Sequence, residues 1–330
     1  MKTPRYQVFT IIFLLFLLSC NEPEQRIARS VGATGEILVV SQNDLQWDGQ
    51  IGDSVRAFFG QDQYGLPQSE PIFKLSEIKI DKLSEMFKKH RNLFVIEINP
   101  KLSEAQVETR SDLWAKPQRV VKISAPNAES WAEAFAKNKE GFLLLYNQTE
   151  RERLLNIFRP TAKADLMEEV YKTFQMKMLI PEGFYVAKQL PGFMWLRKET
   201  NDMSQGFILY QRPYRDTADF SLNKFVKVRD SLLFQYVPGP SDGSFMTTDK
   251  EFVKPKLVKT THFVTDYATE VRGMWNVTGD FMAGPYLSYT FVNPASQQLV
   301  TAEGYIYYPN KDKRDQLRQL EALLHSIAFN

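Results

Sequence analysis

The chain has 330 residues and a nearly balanced charge, with 41 Lys and Arg against 39 Asp and Glu. Hydrophobic residues make up 43% of it and aromatic residues 13%, which excludes a disordered or fibrous protein. This length predicts two domains of about 150 residues each. The sequence contains no basic block and no Arg-rich helix, so nothing predicts a nucleic-acid partner.

The N-terminus has the parts of a secretory signal. Lys2 and Arg5 form a positive start, and residues 8–18 form an apolar run interrupted only by Thr10. This run is shorter than the roughly 20 apolar residues that a spanning helix needs, but it fits the apolar region of a cleaved signal peptide. Residues 1–19 are therefore predicted to be a signal peptide.

Cys20 is the only cysteine of the chain, and it stands where the apolar run ends. The sequence Leu17-Leu18-Ser19-Cys20 resembles the lipobox of bacterial lipoproteins. The resemblance implies cleavage between Ser19 and Cys20, a diacylglyceryl group on the thiol of Cys20, and an acyl chain such as palmitate on its new amino group. The alternative is an ordinary secretory signal or an N-terminal anchor in which the cysteine stands by chance.

Lipidation at Cys20 predicts a stable attachment to a membrane, because two or three acyl chains supply at least the two lipid signals that stable anchoring needs. The mature chain would have no other cysteine, which excludes disulfides, a thiolate nucleophile and a cysteine metal site. Asn21 is not the Asp associated with retention in the inner membrane, so the outer membrane is favoured. Glu22 and Glu24 resemble the acidic export signal of some Bacteroidetes lipoproteins, so both the periplasmic face and the cell surface stay open.

Residues 20–35 are polar and small and predict a tether, followed by an α/β domain over residues 36–175. Helix-like segments alternate with short β-rich runs at 36–41, 92–98 and 118–124. One helix is predicted over 126–138 with Asn127 as its N-cap, and two more over 149–174. No Gly-rich loop follows these strands, which argues against a nucleotide site.

Residues 176–330 predict an α+β domain in which helices pack on an antiparallel sheet. Strand-like runs occupy 256–265, 267–278, 285–293 and 298–308, and an amphipathic helix with Leu317, Leu320, Leu324 and Ile327 ends the chain. A helix containing Phe225 and Arg229 precedes them, and residues 237–249 are rich in turn formers and predict an exposed loop.

The order of elements after the "IPEGF" turn, residues 180–184, resembles the Mog1/PsbP-like fold over roughly residues 176–330. Members of that group mostly bind other molecules and assist assembly. The whole chain, including "VRGMWNVTGDFMAGPYLSY", residues 271–289, resembles a lipoprotein family of the Bacteroidetes that has no assigned activity. The two resemblances imply an envelope location and a binding role.

The sequence contains no recognisable catalytic constellation. His90, His262 and His325 lack a second ligand at metal-binding spacing, and no Gly-x-Ser-x-Gly elbow occurs. We therefore predict no catalytic residue, metal or cofactor. The alternative is a periplasmic or surface hydrolase that acts on glycan or peptide through dispersed carboxylates.

One segment, residues 270–291, gathers aromatic, acidic and basic residues around two glycine-containing bends. Rigid aromatic side chains beside an arginine are typical of binding loops. The alternative is a hairpin whose Trp and Tyr fill the core. The predicted binding loop consists of Arg272, Trp275, Asp280, Phe281 and Tyr286.

Three Asp-Ser/Thr-apolar triplets resemble the O-glycosylation acceptor of Bacteroidetes envelope proteins. They place candidate acceptors at Ser54, Thr217 and Ser231. The alternative is that these residues are helix starts or ordinary helix-surface positions.

Together these patterns predict a non-enzymatic lipoprotein of the cell envelope. It is attached to the membrane through its N-terminal lipid and binds a protein or glycan partner, or assists envelope assembly.

Overall fold

The computed structural model describes residues 27–329, and the predicted signal cleavage site and Cys20 lie outside this range. Seven strands form the N-terminal region, in chain order β1 (Ala28–Arg29), β2 (Glu36–Ser41), β3 (Lys74–Lys79), β4 (Asn92–Ile98), β5 (Gln106–Ser111), β6 (Ala115–Lys116) and β7 (Arg119–Ala125). Its helices are α1 (Asp44–Asp48), α2 (Gln50–Phe59), α3 (Glu85–Lys88) and α4 (Ala128–Phe158).

The main N-terminal sheet has the strand order β3-β2-β4-β7-β5, and every pairing except that of β5 is parallel. Helices α2 and α4 cover one face, where Phe59, Phe94 and Trp131 belong to an aromatic core. Strands connected through helices in this way form the α/β layer that the sequence predicts.

Helix α4 differs most from the sequence prediction, because it continues for 31 residues to Phe158 without a break. Asn127 caps it as predicted, and its side chain accepts a hydrogen bond from the Ser130 N–H at 2.9 Å. Gly141, near its middle, does not end the helix, since neighbouring turns maintain the hydrogen-bond ladder. The first of the two helices predicted over 149–174 is therefore the end of α4.

The C-terminal region begins with α5 (Ala164–Phe174) and contains α6 (Leu222–Tyr236) and α7 (Arg314–Leu324). Its strands are β8 (Tyr185–Leu190), β9 (Phe193–Glu199), β10 (Ser204–Pro213), β11 (Phe245–Thr248), β12 (Lys256–Thr260), β13 (Ala268–Thr278), β14 (Ala283–Val292) and β15 (Gln298–Tyr307). They form one antiparallel sheet ordered β11-β13-β14-β15-β10-β9-β8, with β12 also paired to β13. An antiparallel sheet with packed helices confirms the α+β prediction for this region, whereas β11 lies inside the predicted loop 237–249.

Both faces of the C-terminal sheet are covered. One face packs against α5 and α7 in a core that includes Val170, Tyr289 and Leu320. The other packs against α6 in a core that includes Phe225 and Trp275. Consecutive side chains of a strand point to opposite faces, so a central strand such as β13 serves both cores.

Helix α7 joins the two regions. The Glu70 carboxylate accepts hydrogen bonds from the backbone N–H groups of Lys313 and Arg314, at 2.8 and 2.9 Å, where the helix begins. Arg318 donates to the Ile72 carbonyl at 2.6 Å and lies over the Phe73 ring. Glu70 of the N-terminal region therefore pairs with backbone N–H groups that have no partner inside helix α7 of the C-terminal region. This contact fixes one region against the other.

Candidate functional site

Two clefts lie on opposite faces of β13. Glu270 and Arg272 project to the face covered by α7, while Val271 and Trp275 project to the face covered by α6. We call the first the charged cleft and the second the aromatic cleft. They have to be considered separately, because the sheet lies between them.

The charged cleft has a volume of about 470 Å³ and lies where α4 of the N-terminal region faces the C-terminal sheet. Its polar walls are supplied by Arg151 of α4, Glu270 and Arg272 of β13, Tyr289 of β14, and Glu321 and His325 of α7. Helix α4, the β13–β14 hairpin and helix α7 are far apart in the sequence. Only the folded chain therefore brings these side chains together.

Its arginines and glutamates form one ion-pair network. Glu321 lies 3.0 Å from Arg272 and 3.4 Å from Arg151, and Arg272 also donates to Glu270 at 2.5 Å. The Arg151, Arg272 and Glu321 side chains are only 13–14% exposed. Burial disfavours ionised Glu321, but the charges of Arg272 and Arg151 outweigh this effect and lower its pKa.

Tyr289 and His325 continue the network by hydrogen bonds. The Tyr289 hydroxyl donates to Glu270 at 2.8 Å, so its oxygen accepts from the His325 Nε2–H at 3.2 Å. Burial, together with the positive charges of Arg151 and Arg272, lowers the pKa of His325 to about 3, although Glu321 opposes this shift. His325 is therefore neutral at physiological pH.

This network has the charge states of a set of ion pairs rather than of an acid–base pair. A glycosidase or acid protease needs a carboxyl group whose pKa is raised so that it can donate a proton. Glu321 has a lowered pKa, and Arg272 compensates both glutamates. Arg151, Arg272, Glu270 and Glu321 therefore each have a partner of opposite charge.

The aromatic cleft has a volume of about 630 Å³ and opens where the two ends of the C-terminal sheet approach one another. Tyr185 of edge strand β8 and Met246 of edge strand β11 line the same cavity, so the sheet is curled. The segment 237–240 forms one wall. The aromatic side chains that line the cleft are Tyr185, Trp195, Trp275, Tyr305 and Tyr307.

Trp275 is held rigidly in this cleft. Its ring lies edge-on to Tyr305, with centroids 5.8 Å apart, and the side chain is 1% exposed. Gly284 is its partner on β14, and a Cβ there would lie 3.2 Å from the indole ring and 2.0 Å from the Ile306 carbonyl oxygen. Glycine is therefore required beside Trp275 by close packing.

The two tryptophans of the cleft differ in their hydrogen bonding. The Trp195 indole N–H donates to the Tyr305 hydroxyl at 2.8 Å. The Trp275 indole N–H is buried and has no hydrogen-bond partner among residues 27–329. Buried polar groups are nearly always paired, so Trp275 keeps an unused donor, and its side chain lines a cavity large enough for a small ligand.

The predicted binding loop is not a single exposed loop. Arg272 lies in the charged cleft, Trp275 in the aromatic cleft, and Tyr286 is fully buried beneath the Arg229 guanidinium. Asp280 and Phe281 form the β13–β14 turn, where Phe281 is fully exposed. Strand alternation sends neighbouring residues to opposite faces, so the five residues do not share one surface, and Trp275 and Tyr286 are buried as the hairpin alternative expects. A role of these residues in binding stays a prediction.

The remaining predicted sites are dispersed. Ser19 and Cys20 lie outside the described residues, so cleavage and lipidation stay predictions. Thr217 and Ser231 are exposed, whereas Ser54 is half-buried and donates to the Gln50 carbonyl at 2.8 Å. Their glycosylation also stays a prediction.

Sequence reasoning missed the partners that build the charged cleft. Arg151 and Glu321 occupy ordinary-looking positions on amphipathic helices, and no motif marks them. The buried Arg229–Glu303 ion pair, with two 2.7 Å contacts, was also missed. Its only signal was a charged residue at an apolar helix position. Within residues 27–329, no group of three or more His, Cys, Asp or Glu side chains is placed to hold a metal ion.

Comparison with known proteins assigns two family models to the chain. Residues 30–159 match a domain of unknown function, DUF8532, and residues 163–326 match another, DUF4837. The gap between the matches, residues 160–162, falls between α4 and α5. Thus α5, which packs in the C-terminal core, also falls within the C-terminal match.

Among solved structures, the chain is similar to LpqN, which is involved in cell envelope biogenesis of Mycobacterium tuberculosis. The identity is 12% and the TM-score 0.26, over 46% of this chain and 82% of that one. A similarity this low supports no conclusion about function.

No curated protein matches the chain. Among the described residues, no helix has the length and apolarity needed to cross a membrane. The chain therefore combines two regions, each similar to a family of unknown function.

Proposed function

We propose that this protein is a lipid-anchored protein of the cell envelope that acts by binding, and that it holds its partner in the aromatic cleft. The lipobox-like sequence ending at Cys20 supports the location. The observation that carries the binding role is the unpaired indole N–H of Trp275, whose side chain lines that cleft.

The chemistry of the cleft defines what it would hold. An unpaired buried donor costs about 1–3 kcal/mol, and a ligand with a hydrogen-bond acceptor recovers that free energy. Met246, Val277 and Met282 make much of the remaining surface apolar. The partner would therefore insert an apolar group that carries an acceptor, as a segment of a protein or of an envelope polymer does.

The rim of the cleft supports the same role. Tyr185 is 43% exposed, and the Arg197 guanidinium stacks over the Trp195 ring, 5.0 Å from its centroid. Rigid aromatic side chains beside an arginine are typical of residues that dominate binding energy. The turn at Asp280 is joined to the cleft wall by a 3.3 Å hydrogen bond with Ser241. The exposed Phe281 is thereby placed next to that wall.

We favour the outer membrane as the site of attachment, on either face, because Asn21 follows the lipidated cysteine. Globomycin, which blocks the lipoprotein signal peptidase, is expected to leave a heavier precursor. Cys20→Ala is expected to release the protein from membranes. Unchanged membrane fractionation of this variant would contradict the anchoring, whatever the cleft binds.

Photo-crosslinking tests the cleft directly. A p-benzoylphenylalanine in place of Tyr185 should form an adduct with the partner in intact cells, whereas the same group in place of Phe252, which is 86% exposed, should not. Trp275→Phe, introduced together with the Tyr185 probe, removes the N–H and keeps an aromatic ring, so the adduct should decrease about fivefold, the equivalent of one hydrogen bond.

Trp131 provides the matched control, because its buried indole N–H is also unpaired but lies in the N-terminal core beside Phe94 and Phe135. Trp131→Phe should leave the adduct at Tyr185 unchanged. An adduct that survives Trp275→Phe in full would contradict the proposed site.

A further inference from the structure

One face of the N-terminal region exposes apolar side chains close to the start of the described chain. Ile27 is 52% exposed, Val31 49%, Met86 64%, Phe87 36% and Leu113 44%. We call these five residues the tether face. Exposed apolar groups that cluster, rather than scatter, mark surfaces that contact a protein or a membrane.

Backbone pairing brings these residues together. The Val31 N–H donates to the Lys89 carbonyl at 2.9 Å, which places Val31 beside the end of α3 with its Met86 and Phe87. Strand β1 pairs with β6 through Ala28 and Ala115, which places Ile27 beside the segment that carries Leu113. Residues separated by up to 86 positions in the chain, from Ile27 to Leu113, therefore lie on one surface.

Helix α3 contributes no buried residue, although its sequence includes Met86 and Phe87. The core beneath it is small and is covered by Leu83 and Trp114 instead. Met86 and Phe87 are consequently not needed to fill the core, and their apolar surface is available to a partner.

Basic residues surround the tether face. Arg29, Lys82, Lys88, Lys89 and Lys116 lie in the same segments as the acidic residues Asp81, Glu85 and Asp112. Lys82, Lys88 and Lys116 are ion-paired with these three acids, so Arg29 and Lys89 supply the excess positive charge. An apolar patch bordered by an excess of Lys and Arg is the composition of surfaces that lie at the interface of an anionic bilayer.

The length of the tether restricts what this face can meet. Cys20 and Ile27 are only seven positions apart, and a fully extended chain over seven positions reaches at most about 25 Å. A lipid on Cys20 would therefore hold the tether face within about 25 Å of the bilayer. The tether sets no such limit for surfaces farther from Ile27.

We propose that the tether face docks on an anionic phospholipid surface, with Met86 and Phe87 entering the interface and the surrounding lysines contacting lipid phosphates. The docking would orient the protein on the membrane to which Cys20 attaches it. The choice of a membrane as the partner of this face rests in part on the proposed anchoring, and nothing in it depends on the aromatic cleft.

The test uses the mature chain, residues 20–330, with Cys20→Ala, so that no lipid anchor is present. This chain has no other cysteine, and Met86→Cys therefore places a polarity-sensitive fluorophore at one position. Vesicles of equal parts phosphatidylglycerol and phosphatidylcholine should shift its emission to the blue, and vesicles of phosphatidylcholine alone should shift it much less. The same label at Phe252→Cys, a position that is even more exposed than Met86, should not respond.

Sedimentation with the same vesicles measures the contribution of each group. Lys88→Gln and Lys89→Gln together should weaken binding by at least about fivefold, the effect of roughly one charge near an anionic surface. Phe87→Ser should weaken it to a similar degree and Phe252→Ser should not, while circular dichroism confirms that each variant is folded.

Equal responses at positions 86 and 252, or vesicle binding unaffected by the Lys88, Lys89 and Phe87 substitutions, would overturn the proposal. Self-association without vesicles that Phe87→Ser abolishes would also overturn it, by assigning the face to a second copy of the chain. Failure of the anchor would appear separately, as Cys20→Ala protein that fractionates like the wild type.

Discussion

The charged cleft and the aromatic cleft lie on opposite faces of one strand and differ in how completely their polar groups are paired. In the charged cleft, Arg272 and Glu321 each contact a partner of opposite charge within 3.0 Å. In the aromatic cleft, Trp275 keeps an indole N–H without a partner among the described residues. A satisfied network stabilises a fold, whereas an unsatisfied donor in a cavity has free energy to gain from a ligand.

This difference changes which cleft is considered functional. Charged residues in a cleft suggest catalysis, and the charged cleft has the more varied set of side chains. Its arginines and glutamates nevertheless neutralise one another, and they connect α4 to α7 and thus the N-terminal region to the C-terminal one. We therefore propose a structural role for the charged cleft and a binding role for the aromatic cleft.

Among the conservative substitutions, the largest effect is expected from Glu321→Gln. It removes the carboxylate that bridges Arg151 and Arg272 and leaves two poorly exposed arginines without it. The free energy of unfolding measured by urea denaturation should fall by about 3 kcal/mol. The matched control is Glu168→Gln, whose ion pair with Lys172 is 60–64% exposed, and it should change stability by less than about 1 kcal/mol. Equal effects would show that the network is not a buried structural element.

Acid should lower the stability of the folded protein because His325, in the charged cleft, resists protonation. As the pH falls below about 6.5, the unfolded chain binds a proton at His325, but the folded protein does not until the pH approaches about 3. Stability is therefore lost as the pH falls, by up to about 1.4 kcal/mol per pH unit and about 2 kcal/mol between pH 7 and pH 5. His325→Gln should flatten this part of the stability curve, and an unchanged slope would contradict the lowered pKa.

The two tryptophans of the aromatic cleft should differ in their response to replacement by phenylalanine. Trp195→Phe leaves the buried Tyr305 hydroxyl without its donor, whereas Trp275→Phe removes a donor that has no partner. Both substitutions replace an indole with a phenyl ring, but only Trp195→Phe also breaks a buried hydrogen bond. Trp195→Phe should therefore be the more destabilising by about 1–3 kcal/mol. Thermal unfolding of the two variants measures this difference. A Trp275→Phe variant at least as destabilised would mean that its N–H is paired in the folded protein.

Trp275→Phe alone should alter stability least, by about 1 kcal/mol or less, because lost packing and the removal of an unpaired donor oppose each other. Trp275→Ala is unsuitable for the same comparison. At 1% exposure the indole is part of the core, and its truncation should cost about 3–5 kcal/mol. Urea denaturation of the unliganded variants checks both values.

Much of the fold could be predicted from the sequence, because strong local patterns determine it. The run "EILVVS" is β2 at its exact bounds, and Asn127 caps α4 as expected. Strand β5 was missed because all six of its residues are exposed and Val107 is the one apolar residue among them, so this edge strand has no apolar alternation. The extent of α4 was missed because its contacts with the sheet and with α7 lie on different faces along its length.

The candidate sites could be predicted only in part. The residue types of segment 270–291 correctly drew attention to β13, and both clefts include residues from it. Which face each residue occupies depends on the strand register, and Arg151 and Glu321 join Arg272 only after α4 and α7 pack together. The unpaired state of Trp275 is a property of the packed core and leaves no trace in the sequence.

The most direct test of the central claim compares the two clefts in a single capture experiment. Envelope partners photo-crosslinked at position 185 are quantified in the otherwise unchanged protein, in Trp275→Phe and in His325→Gln. We expect Trp275→Phe to lose most of the adduct and His325→Gln to keep it, since only the first changes the aromatic cleft. An adduct retained in Trp275→Phe and lost in His325→Gln would contradict the account and assign binding to the charged cleft.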